Sequence, residues 1–295
     1  MRVVEPKKFD HKNQAKKRNK IRISKKLTLM LVVALSAGYM LTAKSENTKN
    51  FAQSDDTSGE LRQNETTTDS DTVNELNEKS GLRQFTGNEF RIFYDNLLQA
   101  NLDKVDAPPS ISGNDAADAR IRHLAEARGY RLRSNPSVTL VSVDGYLLQS
   151  SVKESWEDLQ ATAAYEGLTI NIVSAFRSVE TQRALFLNRL NAQGVNIQDV
   201  AEGVADEAIN KVLVTSSIPG YSKHHTGYTI DLQCAGFAFD NFANSPCNVW
   251  LTANNYENAK KYGFIPSYPS DADLQGPDPE AWEYVWVGVD ILSYN

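Results

Sequence analysis

The sequence predicts an α+β domain over residues 84–295, with a small, mostly antiparallel sheet flanked by helices. Amphipathic helical segments come both early and late in this region, and the apolar segments of strand character between them are short. The region is also long enough to bury one sizeable core. It contains no internal repeat and no glycine-rich nucleotide-binding motif.

Helices are predicted where apolar residues recur at helical spacing. Asn114 and Ser178 are candidate N-caps, and Gly167 and Gly263 follow the last periodic residues of two segments, as C-terminal glycines do. In chain order the predicted helices are 87–102, 114–130, 152–167, 178–194 and 249–263.

Strands are predicted for short runs of β-branched and aromatic residues. The segment LTINIVSAF has the continuous apolar character of a buried strand, and SKHHTGYTIDLQ has the character of a turn leading into a strand. The predicted strands are 138–143, 146–149, 168–176, the end of 222–233, and 283–289.

Three segments precede this domain. The basic leader, residues 1–26, holds eleven Lys or Arg against Glu5 and Asp10, a net charge of about +9, which leaves about −15 for the rest of a chain whose total is −6. Residues 27–43 have no charge, and as a helix they span about 25 Å, the short end of a membrane crossing. Residues 44–83 have almost no apolar residues, which predicts a disordered acidic linker.

The charge distribution predicts a single-pass membrane protein with a cytoplasmic N-terminus and an extracytoplasmic C-terminal domain. We favour an uncleaved transmembrane anchor over a removed signal peptide, because the leader is long and LTAK is a poor match to a small-residue cleavage site. An acidic linker and an acidic domain argue against nucleic-acid binding. The sequence carries no signal for an oligomeric state.

The stretch SKHHTGYTIDLQ resembles the S-x-H-x-x-G-x-A-x-D signature of the VanY-type D-alanyl-D-alanine carboxypeptidases, which are zinc metallopeptidases. Ser222, His224, Gly227 and Asp231 match the signature, and Thr229 replaces its alanine. Two further blocks, IVSAFRSVETQRALF and PEAWEYVWVG, resemble the family in the same order, so that the resemblance extends from about Leu148 to Gly288.

The resemblance implies a role for each matching residue. His224 and Asp231 would bind a metal, Glu280 would be the catalytic base, and Arg177 would supply a cation to the developing oxyanion or to the terminal carboxylate of the peptide. The residues implied to contact substrate are Ser222, Gln182, Ser178 and Trp282.

The last block departs from the family pattern at the third metal ligand, because Glu283 stands where the family has histidine. A catalytic zinc needs three protein ligands and one open position, and a carboxylate can replace an imidazole. Two carboxylates largely cancel the charge of the ion, which favours harder metals such as Mn²⁺ over Zn²⁺ and predicts weaker activity. His225, next to His224 in the turn, is expected to be a turn residue or a substrate-side donor rather than a ligand.

Cys234 and Cys247, the only cysteines, lie thirteen residues apart. In an exported domain this spacing predicts a disulfide, which would contribute about 3 kcal/mol to stability. The alternative is that Cys234 binds a metal, although the spacing matches no zinc knuckle.

Together these observations predict a metal-dependent carboxypeptidase that acts on D-alanyl-D-alanine-type termini of peptidoglycan stem peptides, with a water activated by the metal. The substitutions at Ala281, Glu283 and Val285 support an alternative, a catalytically inactive peptidoglycan-binding module that retains the fold. A peptidase for another exported peptide is a third possibility.

Overall fold

The computed structural model describes residues 81–294, which form an α+β fold with small antiparallel sheets and flanking helices. The predicted fold class is therefore confirmed for this region. The predicted leader (1–26), transmembrane segment (27–43) and nearly all of the predicted linker (44–83) lie outside the described residues. Within residues 81–294, every helix is too short or too polar to span a bilayer.

Seven α-helices are present in the described part of the chain. In chain order they are α1 Gly87–Asp95, α2 Asp115–Ala127, α3 Ser150–Tyr165, α4 Val179–Ala192, α5 Ile197–Ala201, α6 Asp206–Leu213 and α7 Pro246–Lys260. The side chains of Asn114 and Ser178 accept hydrogen bonds from the first turns of α2 and α4, which confirms both predicted N-caps.

Eight short strands accompany these helices. They are β1 Leu102–Asp103, β2 Asn135–Pro136, β3 Val141–Val143, β4 Tyr146–Leu148, β5 Ile170–Ser174, β6 Thr229–Cys234, β7 Phe264–Tyr268 and β8 Glu280–Trp286. The main sheet has the order β5-β6-β8-β7, and all of its neighbouring strands are antiparallel.

Two clusters of buried apolar residues hold the domain together. One packs the main sheet against α3, with Trp156 of α3 and Ile230 of β6 among its fully buried members. The other joins α2, α4 and α6, with Ile121 and Phe186 at its centre. Burying apolar side chains of this size is the dominant favourable contribution to folding.

The structure differs from the predicted helices in three regions. The predicted helix 87–102 ends at Asp95, where the Asn96 side chain donates to the carbonyl oxygen of Ile92 (3.0 Å), and Leu102 lies in β1. The predicted helix 249–263 begins earlier, at Pro246, and its backbone leaves the helical conformation at residues 253–256. Asn254 and Asn255 take left-handed angles there, which asparagine tolerates better than most residues, and the Asn255 side chain bonds both backbone polar groups of Phe85. Helices α5 and α6 were not predicted.

A disulfide joins Cys234, at the end of β6, to Cys247, in the first turn of α7. The two Cα atoms lie 5.7 Å apart, within the usual range for such a bond. The loop between the two cysteines contains Phe239, whose ring contacts Trp282 of β8 with 4.9 Å between ring centroids. The cross-link therefore encloses a loop that packs against β8.

Candidate metal centre

A tight turn before β6 positions His224. The Ser222 side chain accepts a hydrogen bond from the backbone N–H of His224 (3.3 Å) and caps a 3₁₀ helix at Lys223–Thr226. Gly227 ends this turn with φ of 74°, and a Cβ there would meet Leu140 Cδ2 at 3.0 Å. A glycine therefore suits both the backbone conformation and the space.

The ring of His224 is oriented by a backbone acceptor. Nδ1 lies 2.7 Å from the carbonyl oxygen of Ala175, to which it donates, and this contact assigns the proton of the neutral ring to Nδ1. Nε2 then faces Asp231 Oδ2 at 3.4 Å and Glu283 Oε2 at 3.3 Å. A backbone bond on one ring nitrogen with the other left for a ligand is the usual arrangement of metal-binding histidines.

Sheet register brings the two carboxylates together. Asp231 on β6 pairs directly with Glu283 on β8, and directly opposite residues of an antiparallel pair share one face of the sheet. One potential ligand atom from each of His224, Asp231 and Glu283 lies within 4.8 Å of the others, and all three residues are buried. The three predicted metal ligands therefore form one cluster.

The charges in the cluster depend strongly on one another. Burial alone would lower the pKa of His224, but the Asp231 and Glu283 carboxylates raise it to about 10. Burial alone would raise the pKa of Glu283, but the facing His224 ring lowers it to about 2. Two buried carboxylates thus require a cation between them, and without a metal the imidazolium provides it.

The donor set fits a divalent metal ion. Asp231 Oδ1 and Glu283 Oε1 are both buried and have no hydrogen-bond partner, although unpaired buried polar atoms are costly. An imidazole nitrogen and two carboxylate oxygens are suitable ligands for Zn²⁺ or Mn²⁺. An ion between the three side chains would satisfy the unpaired oxygens.

An irregular segment of β8 places Glu280 beside the cluster. Glu280 pairs with Tyr268 while Tyr284 pairs with Pro266, so four steps on β8 match two on β7. In a regular strand, residues three apart face opposite sides, and this irregularity allows Glu280 and Glu283 to line the same cavity. Burial, and next Glu283, raise the pKa of Glu280 well above its ordinary value.

Arg177 lies at the same end of the cavity. Its guanidinium donates to Gln182 Oε1 (2.9 Å) and to Ser174 Oγ (3.0 Å), and it lies 3.9 Å from Asp231 Oδ2. Gln182 is fully buried, and its amide also donates to the carbonyl of Ser217 at 2.6 Å. The predicted substrate contact Gln182 therefore orients Arg177 in this structure and does not line the cavity.

The remaining predicted substrate-contact residues have different positions. Ser222 and Trp282 line the same cavity as the metal cluster. Ser178 accepts a hydrogen bond from Thr181 N (3.1 Å), caps α4, and lines a separate cavity with Phe176. Its observed contacts are those of a helix cap rather than of a residue in the cleft.

His225 ties the turn to the end of β5. Its Nδ1 donates to the carbonyl of Arg177 (2.6 Å), and its Nε2 accepts from the backbone N–H of Gly220 (3.0 Å). Burial lowers the pKa of His225 to about 4, so the ring is neutral at pH 7. His225 is therefore a turn residue, one of the two predicted roles, with both nitrogens used inside the protein.

The cluster lies in the wall of a cavity of about 440 Å³. Sequence reasoning missed several contributors, including Ser174 and Phe239, which line this cavity, and Ala175, whose carbonyl orients His224. Ser174 follows a one-residue irregularity in the β5–β6 register, for which the sequence gives no signal. Phe239 could have been found from its position between the two cysteines.

The cavity is lined by an imidazole, two carboxylates that face it and a neighbouring glutamate. This arrangement makes the domain a candidate metallohydrolase. Residues 145–289, just under half of the chain, match the family model described as "VanY: D-alanyl-D-alanine carboxypeptidase". This segment is therefore similar to the VanY family, and its bounds lie close to those of the predicted resemblance, Leu148 to Gly288.

Two curated relatives are carboxypeptidases by name. One is the putative carboxypeptidase YodJ of Bacillus subtilis (strain 168), 30% identical over 130 residues, which are 43% of this chain and 41% of the relative. The other is a D-alanyl-D-alanine carboxypeptidase of Enterococcus faecium, 37% identical over 71 residues, 24% of this chain and 21% of the relative. The match therefore spans at most about two fifths of the length of either relative.

Two solved structures of carboxypeptidases are also similar to part of this chain. VanYB in complex with D-alanine-D-alanine is 22% identical, with a TM-score of 0.42 and coverage of 52% of this chain and 80% of that chain. The LdcB LD-carboxypeptidase is 20% identical, with a TM-score of 0.42 and coverage of 66% and 90%, respectively.

Proposed function

We propose that the protein is a metal-dependent carboxypeptidase that removes the terminal residue from D-alanyl-D-alanine-type termini of peptidoglycan stem peptides. The observation that carries the proposal is the convergence of His224, Asp231 and Glu283 within 4.8 Å, beside Glu280, in a domain similar to the VanY family. The family gives the substrate class, and the cluster supplies the chemistry.

His224 Nε2, Asp231 and Glu283 would hold the ion, either Zn²⁺ or Mn²⁺. When bound, a divalent ion polarises a carbonyl group and lowers the pKa of water. With two carboxylate ligands, the site is suited to Mn²⁺ as well as to the zinc of the family.

The other residues of the cleft act on the peptide and on protons. Glu280 is placed to take a proton from the attacking water and to pass it to the departing amine. Arg177, held in one orientation by Gln182 and Ser174, faces the reacting end of the peptide and stabilises developing negative charge. Trp282 and Phe239 form an apolar wall that shields the reaction from solvent.

The test is release of D-alanine from a stem pentapeptide by the purified full-length chain with Zn²⁺ or Mn²⁺. Glu280→Gln should lower kcat about 10²- to 10⁴-fold, because the general base is lost, while the bound metal remains. Glu154→Gln, which changes an exposed glutamate of α3, is the matched control and should leave kcat unchanged. Equal activity of the Glu280 variant and the control would refute the assignment.

A catalytically inactive peptidoglycan-binding module is the second candidate, and the observation that favours it is Glu283 at the third ligand position. Measurement of metal content and of binding to muropeptides separates the two functions. A stoichiometric metal with turnover supports the enzyme, and a metal-free protein that still binds muropeptides supports the module.

We further propose that residues 27–43 anchor the protein in the membrane, with the N-terminus cytoplasmic and the domain outside, where peptidoglycan lies. The disulfide between Cys234 and Cys247 is compatible with an oxidising, extracytoplasmic location. Accessibility of the domain to protease added to intact cells tests this orientation. Protection of the domain in intact cells would contradict it.

A further inference from the structure

The helix that holds Arg177 also carries a second arginine toward the cavity. Gln182 and Arg189 lie seven residues apart on α4, about two helical turns, and therefore share one face of the helix. Gln182 bonds Arg177, and Leu185, on the same face, lines the cavity together with Arg189. One face of α4 therefore carries both Gln182, which orients Arg177, and Arg189, which itself lines the cavity.

Arg189 is hydrogen-bonded to a backbone group and forms no direct salt bridge in the described part of the chain. Its Nη1 donates to the carbonyl of Thr215 at 2.6 Å, and among residues 81–294 no carboxylate lies within 4.0 Å of its guanidinium. Burial, and next the charge of Arg177, lower the pKa of Arg189, and the more distant carboxylate of Glu280 offsets this only in part. Other arginines of the domain do form salt bridges, for example Arg120 with Asp206.

The two arginines of the cavity differ in how they are held. Arg177 uses two guanidinium nitrogens for Gln182 and Ser174 and lies next to Asp231, so it is fixed at the metal end. Arg189 forms one hydrogen bond to the protein and has four remaining N–H groups, and a guanidinium with free N–H groups can bind a carboxylate in a bidentate manner. Ser216 and Ser217, next to Thr215, also line the cavity, and their hydroxyl groups donate only long bonds to backbone carbonyls, 3.4 and 3.3 Å.

We propose that Arg189 binds a carboxylate of the peptide substrate and thereby determines which peptides the cleft accepts. The inference rests on the proposed function, and it adds a specificity-determining residue that the family motifs do not include. The carboxylate comes from one of two sources, the C-terminus of the peptide or an acidic side chain at the third position of the stem peptide.

The test compares two pairs of stem peptides with the metal-loaded full-length protein. One pair differs by a free or an amidated C-terminus, and the other by meso-diaminopimelate or lysine at the third position. The wild type should prefer the carboxylate member of at least one pair, and Arg189→Gln should raise KM for that member at least about tenfold, with kcat changed little. KM for the matched peptide without the carboxylate should not change.

Arg183→Gln is the matched control. Arg183 lies on the same helix, also donates to a backbone carbonyl (Ser110, 2.9 Å), and does not line the cavity. This variant should keep the preference of the wild type. If Arg189→Gln shows the same preference as the wild type between the two peptides of each pair, the proposal is wrong.

Peptide binding to Glu280→Gln, measured by calorimetry, separates failure of this inference from failure of the proposed function. Affinity that falls about tenfold on adding Arg189→Gln, only for the carboxylate peptide, supports the inference even without turnover. A wild type that neither cleaves nor binds any of the four peptides would contradict the proposed function and, with it, this inference. Binding with an affinity independent of Arg189 would contradict only the inference.

Discussion

Two groups of buried carboxylates in this domain have opposite hydrogen-bonding arrangements. Both oxygens of Asp118 accept two hydrogen bonds each, from the hydroxyl groups of Ser110 and Ser112 and from the backbone N–H groups of Ile111 and Ser112. Asp231 and Glu283 are buried to a similar extent, yet each has one oxygen without a partner. The carboxylate of Asp118 is fully hydrogen-bonded, whereas Asp231 and Glu283 each turn one oxygen toward His224 and leave the other unpaired, which gives an ion open ligand positions.

The largest effect that tests this contrast is the stabilisation by metal. At a free metal concentration 100 times the Kd, binding should raise the free energy of unfolding of the wild type by about 2.7 kcal/mol. Asp231→Asn should lose this increment because a charged ligand is removed. Asp118→Asn should retain it, and denaturant unfolding with and without Mn²⁺ or Zn²⁺ measures both. An equal increment in all three proteins would remove the distinction between the two groups.

The next effect concerns the stability of the metal-free protein. Asp118→Asn should lower the free energy of unfolding by about 1–3 kcal/mol, because the charge is lost and an amide NH₂ replaces an acceptor facing N–H donors. Asp158→Asn, at an exposed position of α3, is the control and should change stability by less than about 0.5 kcal/mol. Urea unfolding at pH 7 provides the comparison. Equal stability of the two variants would show that the bonds of Asp118 contribute little.

The smallest predicted effect is a pH dependence of the difference in stability between the wild type and Asp118→Asn. Burial opposes ionisation of Asp118, but the hydrogen bonds from Ser112 and Ile111 outweigh it and lower its pKa from the ordinary value of 3.8. A lowered pKa contributes stability that is complete above the pKa of the unfolded chain and is lost as the pH falls through the folded value. The stability difference between the wild type and Asp118→Asn should therefore be constant near neutral pH and shrink below about pH 4. A difference that grows on acidification would contradict the sign.

Much of the fold and of the metal cluster could be predicted from the sequence. Periodicity and capping residues located α2 and α4, and the antiparallel sheet follows from short strands between helices. His224 and Asp231 could be predicted together because their spacing within the turn-and-strand unit is local, whereas Glu283 was predicted from the resemblance of a separate block to the family. The pairing of Asp231 and Glu283 across β6 and β8 is then a consequence of strand register.

The remaining features depend on tertiary contacts. The role of Gln182 changes from substrate contact to support because the packing of α4 buries its amide against Ser217. The orientation of His224 by the Ala175 carbonyl and the position of Glu280 both depend on strand ends and irregular pairing, which leave no pattern in a sequence. The helical spacing of Gln182 and Arg189 can be read from the sequence. Only the structure shows that Gln182 bonds Arg177 and that Arg189 lines the cavity.

We propose that the His224, Asp231 and Glu283 side chains together bind one divalent ion. The most direct test is to saturate the purified full-length chain with metal, dialyse it and measure its metal content. We expect about one Mn²⁺ or Zn²⁺ per wild-type chain, a strong loss of metal in Glu283→Gln, and retention of metal with a shift toward Zn²⁺ in Glu283→His. A metal-free wild type, or the same metal content in wild type and Glu283→Gln, would contradict it.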